Sequence, residues 1–142
     1  MNLTPVVYVM TRQLTTLSVN SVVSEAVEIF KNESFHHIPI INEDGSLAGM
    51  LSRTDVDRLR TGASLFHNPR KAAYDEALFQ TMWVRDVMTK EVVQIAPTDT
   101  IACAYATFKK NKFRALPVIK DNELKGILTP LDILEFFFEK VY

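Results

Sequence analysis

The sequence predicts an α/β (α+β) fold in which two β-α-β-β-α repeats pack sheet to sheet about a pseudo-twofold axis. The first observation is internal: sliding the 142-residue chain along itself by 78 positions, and by 77 after one turn, superposes matching residues. The matched sets include Val9-Met10-Thr11 with Val87-Met88-Thr89, Pro39 with Pro117, Gly49 with Gly126 and Asp55 with Asp132. The second observation is size, because half of this chain is too small to bury both faces of a sheet. The cleft between the copies is then the expected place for a ligand.

Each copy begins with a short extended segment, at 14–17 and at 92–95, and continues into a helix. Apolar residues with a 3.6-residue period predict both helices. In the second copy the stripe follows Thr98 or Asp99 as the N-cap, and in the first copy it follows Ser21. The stripes consist of Val22, Ala26, Ile29 and Phe30, and of Ile101, Ala104, Tyr105 and Phe108.

A hairpin and a last helix complete each copy. Strands at 37–41 and 115–119 each contain a proline, which limits their ladder partners. The polar turns NEDG and KDNE lead to second strands at 47–51 and 124–128. The last helix begins at a repeated motif, and in the second copy its predicted apolar face consists of Ile133, Leu134, Phe137 and Phe138.

A connector, residues 61–82, separates repeat 1 (1–60) from repeat 2 (83–142). Its Tyr74, Leu78 and Met82 recur every four residues and predict a helix. One interpretation is packing over one end of the core. The other is a partner-binding or ligand-gating lid, with four basic residues nearby: Arg58, Arg60, Arg70 and Lys71.

Charge and composition exclude several classes of protein. The 16 Lys+Arg and 17 Asp+Glu give a net charge of −1, which provides no electrostatic reason to bind nucleic acid. No apolar run approaches the roughly 20 residues of a membrane span, and the first residues lack a signal peptide, so we expect a cytoplasmic protein with no membrane partner. The one cysteine, Cys103, lies among alanines, which predicts a small buried residue.

No catalytic motif is found. The sequence contains no P-loop, G-x-G-x-x-G, H-E-x-x-H, C-x-x-C or G-x-S-x-G pattern. We therefore expect no enzyme, no catalytic residue and no catalytic cofactor.

The repeated motif reads GMLSRTD in the first copy and GILTPLD in the second. Ser52 and Thr129 are placed as N-caps with Asp55 and Asp132 at N3, as in a capping box, so capping alone explains the hydroxyl and the acid. Capping does not explain a glycine inside an apolar strand, where it costs entropy and leaves a gap in the packing. We therefore expect something to approach that backbone closely.

The same aspartate indicates a class of ligand. A carboxylate at a helix start repels phosphate but suits a pair of hydroxyl donors, such as a ribose 2′,3′-diol. A phosphate would need a cation elsewhere, and His36 and Arg114 occupy equivalent positions, each three residues before the proline. A metal site is not expected, because neighbouring His36 and His37 point to opposite faces of a strand and no acid or cysteine has ligand spacing.

The tandem pattern VMT … h-P-h-h … G-h-h-[S/T]-x-x-D, in which h is an apolar residue, resembles the CBS domain, whose paired copies form a Bateman module. The resemblance covers nearly all of the chain except the connector. It implies a β-α-β-β-α fold per copy, a sheet-to-sheet pair and disc-like dimers of pairs. It also implies that AMP, ADP, ATP or S-adenosylmethionine binds in the clefts between copies.

The resemblance also implies roles for individual residues, carried over by position. The ribose hydroxyls would be bound by Asp55 and Asp132, with Ser52, Thr54 and Thr129 assisting at the ribose or phosphate. The phosphates would be bound by His36 and Arg114. The base would be bordered by Ser21, Ala26, Asp99 and Ala104. In the second copy Pro130 and Leu131 remove the extra hydroxyl that Thr54 supplies in the first. The site at Asp55 is therefore the one we expect to be occupied.

Two functions remain open. The first is a stand-alone regulatory module that senses an adenosyl ligand, forms a homodimer and acts on an effector protein in trans. The alternative is a dimeric scaffold with empty clefts. The three consecutive phenylalanines at 136–138 and the aromatic connector would then form the homodimer surface.

Overall fold

The computed structural model describes residues 2–60, 69–111 and 113–141. It divides into two compact units: the middle unit, Thr15–Glu91, and the terminal unit, made of Met1–Leu14 and Val92–Tyr142. Residues 1–14, which open the first repeat, thus belong to the unit that contains the second hairpin.

The middle unit combines a three-stranded sheet with helices. Its elements are β1 (Leu17–Ser18), α1 (Val23–Asn32), β2 (His37–Ile41), β3 (Leu47–Ser52), α2 (Arg53–Asp57), α3 (Pro69–Phe79) and α4 (Val84–Val87). The strand order is β1-β2-β3, with β1 parallel to β2 and β2 antiparallel to β3. His37 pairs with Ser52, so the first strand of the hairpin starts beside the first turn of α2.

The terminal unit repeats this order. Its elements are a 3-10 turn (Val6–Tyr8), α5 (Ile101–Lys110), β4 (Leu116–Lys120), β5 (Glu123–Leu128) and α6 (Pro130–Val141). A parallel bridge from Ile95 to Val118 takes the place that β1 has in the middle unit. The predicted α+β class with two repeats is confirmed, and both hairpins agree with the prediction to within one residue at each strand end.

Each unit has its own apolar core. In the middle unit, α1 contributes Val23, Ala26 and Phe30, which pack against the hairpin together with Phe79 of α3. In the terminal unit, Ala104 of α5 packs against Leu116, Val118 and Leu128, and Val6 closes that core. Burying an aliphatic or aromatic side chain contributes about 1.5–3 kcal/mol, so these contacts are the main stabilisation of each sheet.

The two Val-Met-Thr segments extend the hairpins at their second strands. The backbone N–H and carbonyl of Thr11 pair with those of Ile127, at 2.8 and 3.0 Å, and Thr89 pairs in the same way with Met50, at 2.9 and 3.0 Å. Each segment therefore lies against the hairpin of the other repeat in the sequence.

Three details of the helices correct the sequence predictions. The N-cap of α5 is Thr100, whose hydroxyl accepts from the Cys103 N–H at 3.1 Å, and neither Thr98 nor Asp99. The N-cap of α1 is Val22, not Ser21, and Glu25 accepts its N–H at 3.0 Å. Cys103 is exposed, because the buried positions of α5 are 101 and 104.

Helices α3 and α6 bury other residues than the sequence predicts. In α6 only Ile133 of the four predicted residues packs on the core, while Leu134, Phe137 and Phe138 are exposed. The connector does contain a helix, α3, but it buries Asp75 and Phe79, whereas Tyr74 is exposed. Connector residues 61–68 lie outside the described residues. Within the described residues, no helix is long and apolar enough to cross a membrane.

Candidate functional site

In the middle unit, the candidate site is built around the carboxylate of Asp55. The Ser52 hydroxyl accepts from the Asp55 N–H at 3.0 Å, and Asp55 Oδ2 accepts from the Ser52 N–H at 3.0 Å. This reciprocal capping box is the one that the sequence predicts, and such a cap contributes about 1 kcal/mol. Only one carboxylate oxygen is used, so the cap leaves Oδ1 as an acceptor.

Asp55 Oδ1 has few polar contacts among the described residues. Its one ion-pair partner among the described residues is Arg58 Nη1 at 3.8 Å, and the Arg58 side chain is 75% exposed. A contact this long with a solvated arginine is weak. The Asp55 side chain is itself 17% exposed, and among the described residues a ligand hydroxyl at Oδ1 would compete only with this weak contact.

Asp132 in the terminal unit is more fully engaged. Its Oδ2 accepts from the Thr129 N–H at 2.9 Å, and the Thr129 hydroxyl accepts from the Asp132 N–H at 3.3 Å, which forms the predicted second capping box. Its Oδ1 accepts a further hydrogen bond from the Thr11 hydroxyl at 2.9 Å. Over the part of the chain that the structure describes, the equivalent Thr89 donates no such bond to Asp55. The two aspartates are thus equivalent in sequence and different in bonding.

Thr11, which bonds to Asp132 in the terminal unit, is a residue that the sequence did not single out as a candidate. The sequence does contain a sign of its importance, because Val-Met-Thr is the longest stretch that is identical in the two copies. Nothing in the sequence indicates which residue the threonine contacts. Arg58 was missed in a similar way, since the sequence places it beside the connector as well as three positions after Asp55.

The glycine of each motif is explained by the chain itself. A Cβ on Gly49 would lie 2.6 Å from the Thr89 carbonyl oxygen and 2.7 Å from Met88 Sδ. A Cβ on Gly126 would lie 2.8 Å from both the Thr11 carbonyl oxygen and Met10 Sδ. The expected close approach is therefore made by the Val-Met-Thr segments.

Each basic candidate lies just before the strand that pairs with the end of the motif strand of its own hairpin. His36 is exposed, and its carbonyl accepts from the Arg53 N–H at 2.9 Å, which holds it at the first turn of α2. Arg114 is exposed and lies two residues before β4, whose first residue, Leu116, pairs with Leu128 next to Thr129.

The remaining candidates are divided between the units. The middle unit contains Ser21, Ala26, His36, Ser52, Thr54 and Asp55, and the terminal unit contains Asp99, Ala104, Arg114, Thr129 and Asp132. Ala26 and Ala104 are fully buried in the cores, Thr54 is exposed, and Asp99 accepts from the Ala96 N–H at 2.7 Å. Within the described ranges, no group of three or more His, Cys, Asp or Glu side chains is placed to hold a metal ion.

Comparison with known proteins identifies relatives of this arrangement. The CBS domain family model matches residues 6–62 and 84–139. The CBS domain-containing protein YhcV of Bacillus subtilis is 32% identical, and the match covers 87% of this chain and 79% of that protein.

Two solved structures share the fold at 22% identity, and each match covers 97% of this chain and 98% of the other. They are CBSX2 in complex with AMP, with a TM-score of 0.78, and the CBS domain pair of protein MJ0100 in complex with 5′-methylthioadenosine and S-adenosyl-L-methionine, with a TM-score of 0.76. The chain spans less than half the length of several curated relatives, including 42% of MJ1225 and 22% of inosine-5′-monophosphate dehydrogenase, both of Methanocaldococcus jannaschii. The activities of those longer proteins are therefore not transferred to it.

Proposed function

This chain belongs to the CBS-domain family and carries two CBS domains, and on that premise we propose that it is a regulatory module for an adenosyl ligand. In this proposal AMP, ADP, ATP or S-adenosylmethionine binds at Asp55, and the chain acts on an effector protein in trans without catalysis of its own. The fold neighbours that hold AMP, 5′-methylthioadenosine and S-adenosylmethionine support the adenosyl class. A cytoplasmic location is part of the same proposal.

The observation that carries the proposal is the bonding of Asp55. An ionised carboxylate accepts two hydroxyl donors well, and hydrogen bonds to charged groups contribute about 1.5–3 kcal/mol. Among the described residues, Oδ1 has only the long contact to Arg58. Oδ2 accepts a hydrogen bond from the Ser52 N–H and has a second lone pair that can accept another. The exposed His36 and the hydroxyls of Ser52 and Thr54 lie in the same unit, where the proposal assigns them to the phosphate and the ribose.

The two copies differ in the affinity we expect for the ligand. At Asp132 a ribose hydroxyl must share Oδ1 with the Thr11 hydroxyl or displace it, and a typical hydrogen bond contributes about 0.5–1.5 kcal/mol net. That copy also lacks the Thr54 hydroxyl, because Leu131 stands in its place. We therefore propose that Asp55 belongs to the tighter site and that Arg114, Asp99, Ala104, Thr129 and Asp132 form a weaker one.

Thermal unfolding in the presence of adenosyl ligands tests the proposal. A ligand at 100 times its Kd should add about 2.7 kcal/mol to the free energy of unfolding, and thus raise Tm by several degrees. AMP, ADP, ATP and S-adenosylmethionine are the ligands, and free adenine, which lacks the ribose, is the matched control. The proposal fails if no adenosyl ligand raises Tm more than adenine does.

The second candidate function is a dimeric scaffold that needs no ligand. It is favoured by an unusual stripe on α6, where Leu131, Leu134, Phe137 and Phe138 are between 43% and 64% exposed. Apolar side chains grouped in this way mark interaction surfaces in many proteins. A homodimer through α6 is compatible with both functions, but the scaffold predicts an unchanged Tm with every adenosyl ligand.

A further inference from the structure

The middle unit contains a cavity of about 310 Å³ that the adenosyl proposal does not use. It lies among three helices, and its lining consists of Val27, Phe30 and Lys31 of α1, Arg53, Val56 and Asp57 of α2, the following Arg60, and Glu76 and Phe79 of α3. We call it the helical cavity. Its volume is at the lower end of the range of small-molecule pockets.

The helical cavity and Asp55 lie on different sides of α2. The lining residues of this segment are at 53, 56, 57 and 60, the i, i+3, i+4, i+7 spacing of one helix face. Asp55 stands two positions from Arg53 and two from Asp57, which at 100° per residue places it about 160° around the helix from each of them. A molecule in the helical cavity is therefore distinct from a ligand at Asp55.

Below the helical cavity lie two buried aromatic rings, each covered by a guanidinium group. Phe30 and Phe79 are almost fully buried. The guanidinium of Arg53 lies over the Phe30 ring at 5.1 Å, and that of Arg60 lies over the Phe79 ring at 5.6 Å. Arg53 also donates from Nε to the Phe35 carbonyl at 3.0 Å and from Nη2 to the Glu33 carbonyl. These contacts fix the Arg53 guanidinium before any ligand arrives.

The charges of the lining favour an anion. Lys31, Arg53 and Arg60 are positive and Asp57 and Glu76 are negative, which leaves a net charge of +1. Arg60 Nε lies 3.5 Å from Asp57 Oδ1, so this pair is already partly compensated. One negative group on a ligand would balance the remaining charge, and a planar carboxylate matches the geometry of a guanidinium.

From these observations we propose that the helical cavity binds a small monocarboxylate with an apolar body. The carboxylate would pair with Arg60, Arg53 and Lys31. The apolar body would lie against Val27 and the aliphatic parts of the arginine side chains that cover the two phenylalanine rings. The proposal is independent of the adenosyl site, because it uses the other side of α2.

NMR titration of the ¹⁵N-labelled protein tests this site without any adenosyl ligand present. The probe is phenylacetate, titrated to about 10 mM because a ligand of about ten non-hydrogen atoms binds in the micromolar to millimolar range. Two control compounds separate the contributions of the ring and the charge to binding. 2-Phenylethanol has the ring but no charge, and inorganic phosphate has negative charge but no ring. We expect phenylacetate to shift the Arg53 Nε and Phe79 amide signals, with at least about tenfold weaker binding of either control.

Two arginine variants complete the test. Arg60→Met should weaken phenylacetate binding about tenfold, since it removes a charge-assisted partner. Arg85→Met is the matched control, because Arg85 also stacks on an aromatic ring, Trp83 at 4.6 Å, but does not line the cavity. The proposal is overturned if phenylacetate moves no cavity signal, if 2-phenylethanol binds equally well, or if both variants weaken binding alike.

Discussion

Replacing Asp55 by alanine is expected to weaken adenosyl-ligand binding by about 10- to 100-fold, the equivalent of one hydrogen bond to a charged group. Asp132→Ala is expected to weaken it by less than about threefold, because the Thr11 hydroxyl already bonds to Oδ1 of that carboxylate. Isothermal titration calorimetry with the ligand that raises Tm most measures both changes.

The Asp132 variant is a matched control for folding. Both aspartates accept the N–H of their N-cap residue, at 3.0 Å from Ser52 and 2.9 Å from Thr129, so both substitutions remove the same kind of capping contact. Loss of this contact should lower the free energy of unfolding by about 1 kcal/mol in each variant. Asp132→Ala also removes the bond from the Thr11 hydroxyl, so it should cost about 0.5–1.5 kcal/mol more. Equal loss of ligand affinity in the two variants would contradict the ranking of the sites. No loss in either variant would show that neither aspartate binds the ligand.

Gly49→Ala is expected to lower the free energy of unfolding by about 1–3 kcal/mol, the usual cost of overpacking a tight site. The added methyl group would meet the Thr89 carbonyl oxygen at 2.6 Å. That atom belongs to a backbone whose N–H and carbonyl both pair with Met50, so a change of rotamer cannot relieve the contact. Urea denaturation followed by circular dichroism measures the loss.

Gly45→Asn is the control for this substitution. Gly45 has a φ of +88°, no atom of the described residues lies within 4 Å of an added Cβ, and asparagine tolerates the left-handed region better than most residues. We expect a loss of about 1 kcal/mol there, from the positive φ alone and without any steric contact. If Gly49→Ala unfolded at the wild-type urea concentration and only ligand binding fell, the glycine would be kept open for a ligand and not for the Val-Met-Thr segment.

The hairpins and the two capping boxes could be predicted from the sequence because their signals are local. Strand alternation, a polar turn and a hydroxyl three residues before an acid all fall within a few positions of one another. Ser52 with Asp55, and Thr129 with Asp132, consequently bond as predicted.

Contacts between distant parts of the chain could not be predicted in this way. Thr11 bonds to Asp132 across 121 positions, and no periodicity encodes such a pair. The predicted N-cap of α5 is wrong for a local reason. Residues 98–100 are all of a type that can cap a helix, and Asp99 instead accepts the Ala96 N–H within the preceding turn. The predicted burial of Cys103 is wrong because alanine neighbours do not define a buried face, since alanine favours a helix on either side.

In the proposed site, Asp55 accepts the ribose diol of an adenosyl ligand. The most direct test is a titration with adenosine and with 2′,3′-dideoxyadenosine, observed through the ¹³C NMR signal of the Asp55 side-chain carboxyl. We expect adenosine to shift this signal and the dideoxy compound, which lacks both hydroxyls, to bind at least about tenfold more weakly. Equal binding of the two nucleosides, or binding of adenosine that leaves the Asp55 signal unmoved, would contradict the assignment.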